Sequence, residues 1–181
     1  MTLPQTGAVG TMLFDAGTVV SRVRELGAQI SKDYAGKVPV LIGVLNAAVP
    51  FLADLARAVS IPAEFDVIAV TKFSVQEGIR FEKDTAQSVE GRHLILVEDT
   101  IDTGRTMQYV VRALRARKPA SLAACVLLDR PQRRLANVEI TYKGFDIPAV
   151  YVIGYGLDYR GRYRELPALY VLEIPLSAAP A

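Results

Sequence analysis

The chain has 181 residues, 51% hydrophobic and 22% charged, with 21 Lys and Arg against 19 Asp and Glu and a net charge of +2. That is about one domain's length, rich in core-forming residues, with too little charge to argue for nucleic-acid or membrane binding through its field. One cysteine and one histidine exclude a disulfide framework and, in practice, a thiolate or imidazole zinc site.

Residues 1 to 12 read as a loose leader, with no basic region followed by a long apolar run, so no signal peptide is expected. Asp15 or Thr18 caps a first helix, whose Val19, Val20, Val23, Leu26 and Ile30 follow helical spacing and which ends at Tyr34 to Pro39. Val40 to Leu45 reads as a buried strand, Asn46-Ala47-Ala48 as a turn, and Pro50 as the first turn of a helix with Phe51, Leu52, Leu55, Ala56 and Val59 inward. Leu41 to Val59 is apolar enough to suggest a membrane span, but Asn46, Pro50, Asp54 and Arg57 interrupt it, and a strand followed by a helix explains it better. Glu64 to Phe73 is the next strand. From Ser74 to Arg92 the apolar pattern lapses, as in a hairpin arm or a lid over a reactive ligand.

His93 opens the stretch that organises the rest. Leu94 to Val97 is an apolar run fit for a central strand; Glu98, Asp99 and Asp102 follow, then Thr103-Gly104-Arg105-Thr106 and a helix with Met107, Val110, Val111 and Leu114 on one face. The carboxylates are expected where the strand leaves the core, at the end where open α/β sheets place ligands. The Thr-Gly-Arg-Thr turn offers N–H groups and hydroxyls at a helix start, a ready anion site. Glu98 and Asp99 are neighbours and cannot both point into one core; they suit hydroxyls or Mg²⁺. One ligand with a phosphate and vicinal hydroxyls, such as a sugar phosphate, satisfies the whole turn. A P-loop is excluded because no glycine stands five residues before Gly104, and a dinucleotide fingerprint at Gly154-Tyr155-Gly156 lacks its third glycine.

Pro119 ends that helix, and Arg112, Arg115, Arg117 and Lys118 suit its carboxyl end. Ser121 to Leu128 is a buried strand carrying Cys125, read as an inert core thiol. Asp129-Arg130-Pro131 is a turn and Gln132-Arg133-Arg134 a polar excursion. Ile140 to Tyr142 and Val150 to Ile153 read as short strands around Gly144 to Pro148. Tyr155 to Arg164 is dense in aromatic and basic residues, and Leu169 to Ile174 is a last apolar segment. With no internal repeat or linker, the reading is a single domain over 1–181 with its core at about 15–174. It is an α/β fold with a mostly parallel central sheet flanked by helices.

The run Val97 to Thr106 resembles the phosphoribosyl-pyrophosphate (PRPP) motif of type I phosphoribosyltransferases. Phe51 to Leu55, Leu127 to Pro131 with Arg133 and Arg134, Gly144 to Pro148, and Val152 to Tyr159 with Arg162 to Arg164 resemble the hypoxanthine-guanine members of that family. The resemblance implies a small hood formed by terminal segments and a mobile lid loop. It also implies a Mg²⁺-dependent transfer of phosphoribosyl from PRPP to hypoxanthine or guanine, in a cytoplasmic homodimer or homotetramer.

Carried over by position, Glu98 and Asp99 contact the ribose hydroxyls directly or through Mg²⁺, and Asp102 faces purine N7 as general base or acid. Asp102, Thr103, Gly104, Arg105 and Thr106 cradle the 5′-phosphate. Asp158 helps hold a second Mg²⁺ and, with Val152, meets the purine edge; Arg164 binds pyrophosphate; Tyr151 stacks on the ring; Arg130 donates to O6 where the family usually has lysine. The sequence departs from the family at Leu45-Asn46-Ala47, which replaces a Leu-Lys-Gly loop, and at Phe73-Ser74, where the lid usually carries Ser-Tyr. Two other readings are an RNA-attached regulator using Arg112, Arg115, Arg117, Lys118, Arg133 and Arg134 as a basic face, and a sister transferase acting on xanthine.

Overall fold

A computed structural model describes residues 8–72 and 79–173. The proposed lid pair Phe73-Ser74 lies outside these residues. In chain order the elements are β1 (Ala8–Phe14), α1 (Ala16–Asp33), β2 (Val40–Val44), α2 (Val49–Ala58), β3 (Glu64–Lys72), β4 (Ile79–Lys83), β5 (His93–Ile101) and α3 (Arg105–Arg115). They continue with β6 (Ser121–Asp129), a short 3-10 turn (Pro131–Arg133), β7 (Tyr142–Asp146), β8 (Val152–Ile153) and β9 (Leu169–Glu173).

The main sheet has the order β4-β3-β2-β5-β6-β7. Its pairs are parallel from β3 through β7, and β4 alone runs antiparallel, returning from β3 as a hairpin arm. Side chains of β5 alternate between two cores. Ile95 and Val97 join the cluster under α1 and α2, with Phe51, Leu26 and Leu55. Leu94 and Leu96 join the cluster under α3, with Met107, Val110 and Leu114. Each large side chain so buried contributes about 1.5–3 kcal/mol. Helices on both faces are what alternating strands and helices require.

Local signals explain the element ends. Asp15 caps α1: its Oδ1 accepts from Thr18 N–H at 2.8 Å and its Oδ2 from the Thr18 hydroxyl at 2.8 Å. Pro50 occupies the first turn of α2, where its missing N–H costs nothing. Cys125 is fully buried in β6, and burial pushes its thiol far up, as an inert core thiol requires.

Three expectations are corrected. Of the segment taken as a leader, the described residues from Ala8 onward belong to β1, which pairs antiparallel with β9 in a second sheet, β1-β9-β8. Its Val9 and Met12 are exposed, so its own pattern is weak and the partner strand from the far end of the chain defines it. This sheet is the hood built from terminal segments. Next, β7 spans Tyr142–Asp146 rather than 140–142, because its register follows β6 (Cys125↔Tyr142, Leu128↔Phe145). Last, β5 continues through the acidic residues to Ile101, since Glu98, Thr100 and Ile101 still pair with Val126, Leu128 and Asp129.

Candidate active site

Strand parity carried beyond Val97 puts Glu98 on the α3 face of β5 and Asp99 on the α1–α2 face. The two carboxylates therefore flank the carboxyl end of one strand. Asp99 enters a cleft of about 240 Å³ together with Asp102, Arg130, Tyr151, Val152 and Asp158. Six of the residues expected at the site are thus brought together from β5, the end of β6 and the hood. Thr100, Ala47 and Leu157 complete the wall; they lie in stretches singled out from the sequence, but none was given a site role there. A larger groove of about 390 Å³ lies between α3 and residues 137–141, but it contains none of the acidic turn.

The turn after β5 is shaped by Gly104, whose φ of 79° lies in the left-handed region. A Cβ there would stand 2.9 Å from the Ala136 carbonyl oxygen. Thr103 O accepts from both Leu135 and Ala136 N–H at 2.9 Å, so the chain after β6 clamps this turn. No side chain caps α3 and no acid stands in its first turn. Apart from a long 3.5 Å contact from Arg105 N–H to Thr103 Oγ1, the helix mouth presents its amides and positive dipole end outward.

Asp99 lies deep in the protein's mass although one side of the residue opens on the cleft. Burial pushes its carboxyl up to about 6, against the pull of Arg164. Burial also lowers Arg130, opposed by the negative charge of Asp102. A carboxylate and a guanidinium both moved off their ordinary range in one cleft make it the candidate functional site. Asp102 lies 3.9 Å from Arg130 Nη1 and 2.7 Å from Arg133 Nε. Arg133 was missed as a site residue, because from sequence it belonged to a polar excursion. Its neighbour Arg134 pairs with the buried Asp129.

The hood closes the cleft from above. Tyr151 is 46% exposed; its hydroxyl donates to the Asp158 carbonyl at 2.9 Å, and Tyr159 meets it edge-on at 5.7 Å. That leaves a held aromatic ring at the cleft wall. Both Asp158 carboxylate oxygens are engaged: Oδ1 lies 2.8 Å from Arg164 Nη2, and Oδ2 accepts from Gly161 N–H at 2.6 Å. Arg164 also donates to Gly156 O at 2.6 Å. The hood loop packs directly on the turn after β2, whose Leu45–Asn46 peptide is cis. A Cβ at Gly156 would come within 2.2 Å of Ala47 O, so only glycine permits this approach. Tyr155 donates to Asp54 Oδ2 at 2.6 Å and ties the loop to α2.

Among the described residues no helix is long and apolar enough to cross a membrane. Residues 10–160 match the family model described as a phosphoribosyl transferase domain. The chain is similar to the hypoxanthine-guanine phosphoribosyltransferase of Mycobacterium tuberculosis (strain ATCC 25618 / H37Rv), with 41% identity over 92% of this chain and 88% of that one. It is also similar to the enzyme of the same name from Streptococcus thermophilus (strain CNRZ 1066), with 39% identity over 90% and 92%. Among solved structures, a hypoxanthine phosphoribosyltransferase from Staphylococcus aureus superposes with a TM-score of 0.88 at 35% identity, covering 91% of this chain and 92% of that one. An open helix mouth beside a carboxylate-lined cleft at the carboxyl end of a parallel sheet agrees with those matches: the chain belongs to the phosphoribosyl transferase family and is a pentosyl-transferring enzyme of the type I fold.

Proposed function

We propose that this protein transfers the 5-phosphoribosyl group of PRPP to hypoxanthine or guanine, releasing pyrophosphate, as its named relatives imply. The observation that carries the reading is the shared cleft: Asp102, Arg130, Tyr151 and Val152 face one space beside Asp99 and next to the mouth of α3. A ligand laid across the end of β5 meets the amides of Asp102 to Thr106 with its 5′-phosphate. Its ribose hydroxyls lie between Glu98 on one flank and Asp99 on the other, and its base reaches Tyr151. Tyr151 stacks on the ring, the Val152 backbone and Asp158 meet its edge, and Arg130 donates to O6. Asp102 faces N7 and accepts or returns its proton as the bond to C1′ forms, a role that typically adds about 10²–10⁴-fold. Arg164 neutralises the departing pyrophosphate.

Among the described residues no three side chains form a self-sufficient metal cage. Mg²⁺ commonly binds through one or two carboxylates together with substrate phosphates, and the Glu98–Asp99 pair fits that manner. Asp158 fits it once Arg164 turns to the pyrophosphate. Bound Mg²⁺ supplies charge neutralisation on the leaving group. Three of the six cations of the alternative RNA-binding face, Arg117, Arg133 and Arg134, are already paired with carboxylates, which weighs against that reading. We take residues 1–181 as one catalytic unit, working in the cytoplasm as a homo-oligomer.

The test is pyrophosphate release from PRPP with hypoxanthine, guanine, xanthine and adenine, with and without Mg²⁺. Mg²⁺-dependent release with the first two supports the proposal. Release with xanthine or adenine alone reassigns the base, and release with none rejects it.

A further inference from the structure

We propose that Arg133 is a positioning residue for Asp102; the proposal rests on Asp102 being the group that faces the purine N7. Arg133 ends the 3-10 turn after β6. Its Nε lies 2.7 Å from Asp102 Oδ1, and Arg130 Nη1 lies 3.9 Å from the same oxygen. That oxygen is sealed from solvent and has no hydrogen bond of ordinary geometry. The contact is therefore an ion pair that grips one carboxylate oxygen.

The Asp102 side chain as a whole is still 36% exposed. With Oδ1 sealed, that exposure belongs to the rest of the side chain, and Asp102 lines the cleft, so Oδ2 is the oxygen free to serve a ligand there. A carboxylate that must hand a proton to and from a base needs one oxygen held and the other presented. The Arg133 and Arg130 guanidinium groups beside Oδ1 do the holding.

The anchor of Arg133 is firm. Arg134 next to it is tied to the buried Asp129, and the following N–H groups of Leu135 and Ala136 both bond Thr103 O at 2.9 Å. The arginine that holds Asp102 is thus fastened to the turn that carries Asp102. Arg133 itself is 52% exposed in its side chain, so its truncation opens no core cavity and its loss can be read separately from unfolding. The other charged or titratable groups lining the same cleft are Arg130, Asp99, Tyr151 and Asp158.

The experiment compares wild type, Arg133→Ala, Arg133→Lys, Asp102→Ala and the double variant Asp102→Ala with Arg133→Ala. Steady-state turnover is measured with PRPP and hypoxanthine. The carboxyl-carbon NMR signal of Asp102 is recorded in the free proteins at one pH. The expected result is a kcat about tenfold lower in Arg133→Ala with the KM for PRPP within twofold of wild type, and most of that loss recovered by lysine. In the Asp102→Ala background, removing Arg133 costs less than twofold more. The Asp102 carboxyl-carbon signal shifts in Arg133→Ala and returns in Arg133→Lys. A kcat within twofold of wild type in Arg133→Ala, or an equal tenfold loss without Asp102, overturns the proposal. If wild type turns over no base, the transferase reading fails by itself. The NMR comparison then decides: an unmoved Asp102 signal in Arg133→Ala rejects the positioning role, and a displaced one that lysine restores upholds it.

Discussion

Replacing Gly104 by valine puts a side chain where the backbone has a φ of 79° and ψ of −6°. An L-residue in the left-handed region costs about 1–2 kcal/mol, and a β-branched one more. The new Cβ would also stand 2.9 Å from the Ala136 carbonyl oxygen and 2.8 Å from Arg134 Cδ. The first is backbone held by the Ala136 N–H bond to Thr103 O, and the second belongs to a side chain tied to Asp129, so neither yields freely. The sum is about 2–4 kcal/mol, by adding a clash of ordinary size to the dihedral cost.

That energy has two outlets. If the turn keeps its shape in the free protein, the loss appears as stability, roughly 4–16 °C in Tm at about 2–4 °C per kcal/mol for a chain of this size. If the turn relaxes, PRPP must re-form it, and affinity falls by a factor of ten for each ~1.4 kcal/mol. Thermal unfolding and PRPP titration calorimetry on Gly104→Val and Gly104→Ala measure both outlets, with alanine expected to show the smaller effect. A valine variant with wild-type Tm and wild-type PRPP affinity would falsify the reasoning about this turn.

Asp102→Ala should lower kcat by about 10²–10⁴-fold with a modest loss in Tm, since its close partner Arg133 is half exposed and the more buried Arg130 stands 3.9 Å away; stopped-flow turnover and circular dichroism melts check both halves. Asp129→Ala should cost about 3 kcal/mol, because it strands the largely buried Arg134 (18% exposed against 7% for Asp129) without its partner. Denaturant titration reads that loss, and a change below about 1 kcal/mol would show the pair to be dispensable. Hydrogen bonds from Arg117 hold the Asp84 carboxyl below its usual range. A depressed carboxylate stabilises the fold above its unfolded value, so this contribution is present at neutral pH and is lost as pH falls below about 4. Both partners are partly exposed, so Arg117→Ala should cost under about 1 kcal/mol at pH 7 and progressively less as acid protonates Asp84; a loss that does not change with pH would assign Arg117 to packing on Phe81, which its guanidinium also covers.

Much of this molecule is legible without coordinates. The apolar runs of β2, β5 and β6, the helical spacing of Val19 to Ile30 and of Met107 to Leu114, and the Asp15 cap are local signals. Each reports which face of its own segment must leave water, and that suffices to set a parallel sheet between helices. Gly104 was legible too, since a turn between a strand and an anion-binding helix mouth asks for a residue free to take positive φ. The Val97 to Thr106 run pointed to a sugar phosphate for the same local reason.

What only the tertiary structure decided lies between segments far apart in sequence. β1 looks like leader because its strand character comes from β9, through hydrogen bonds that leave no trace in its own side-chain pattern. β5 runs on through Glu98 and Asp99 because β6 continues beside it. Arg133 and Arg134 read as a solvated excursion until the fold turned them toward Asp102 and Asp129. Tyr151 and Asp158 reach the acidic turn only because the hood loop, with glycine at 156, can press against the turn at Ala47. Periodicity records burial of a segment's own face, whereas the direction of a long charged side chain depends on where a distant carboxylate comes to rest.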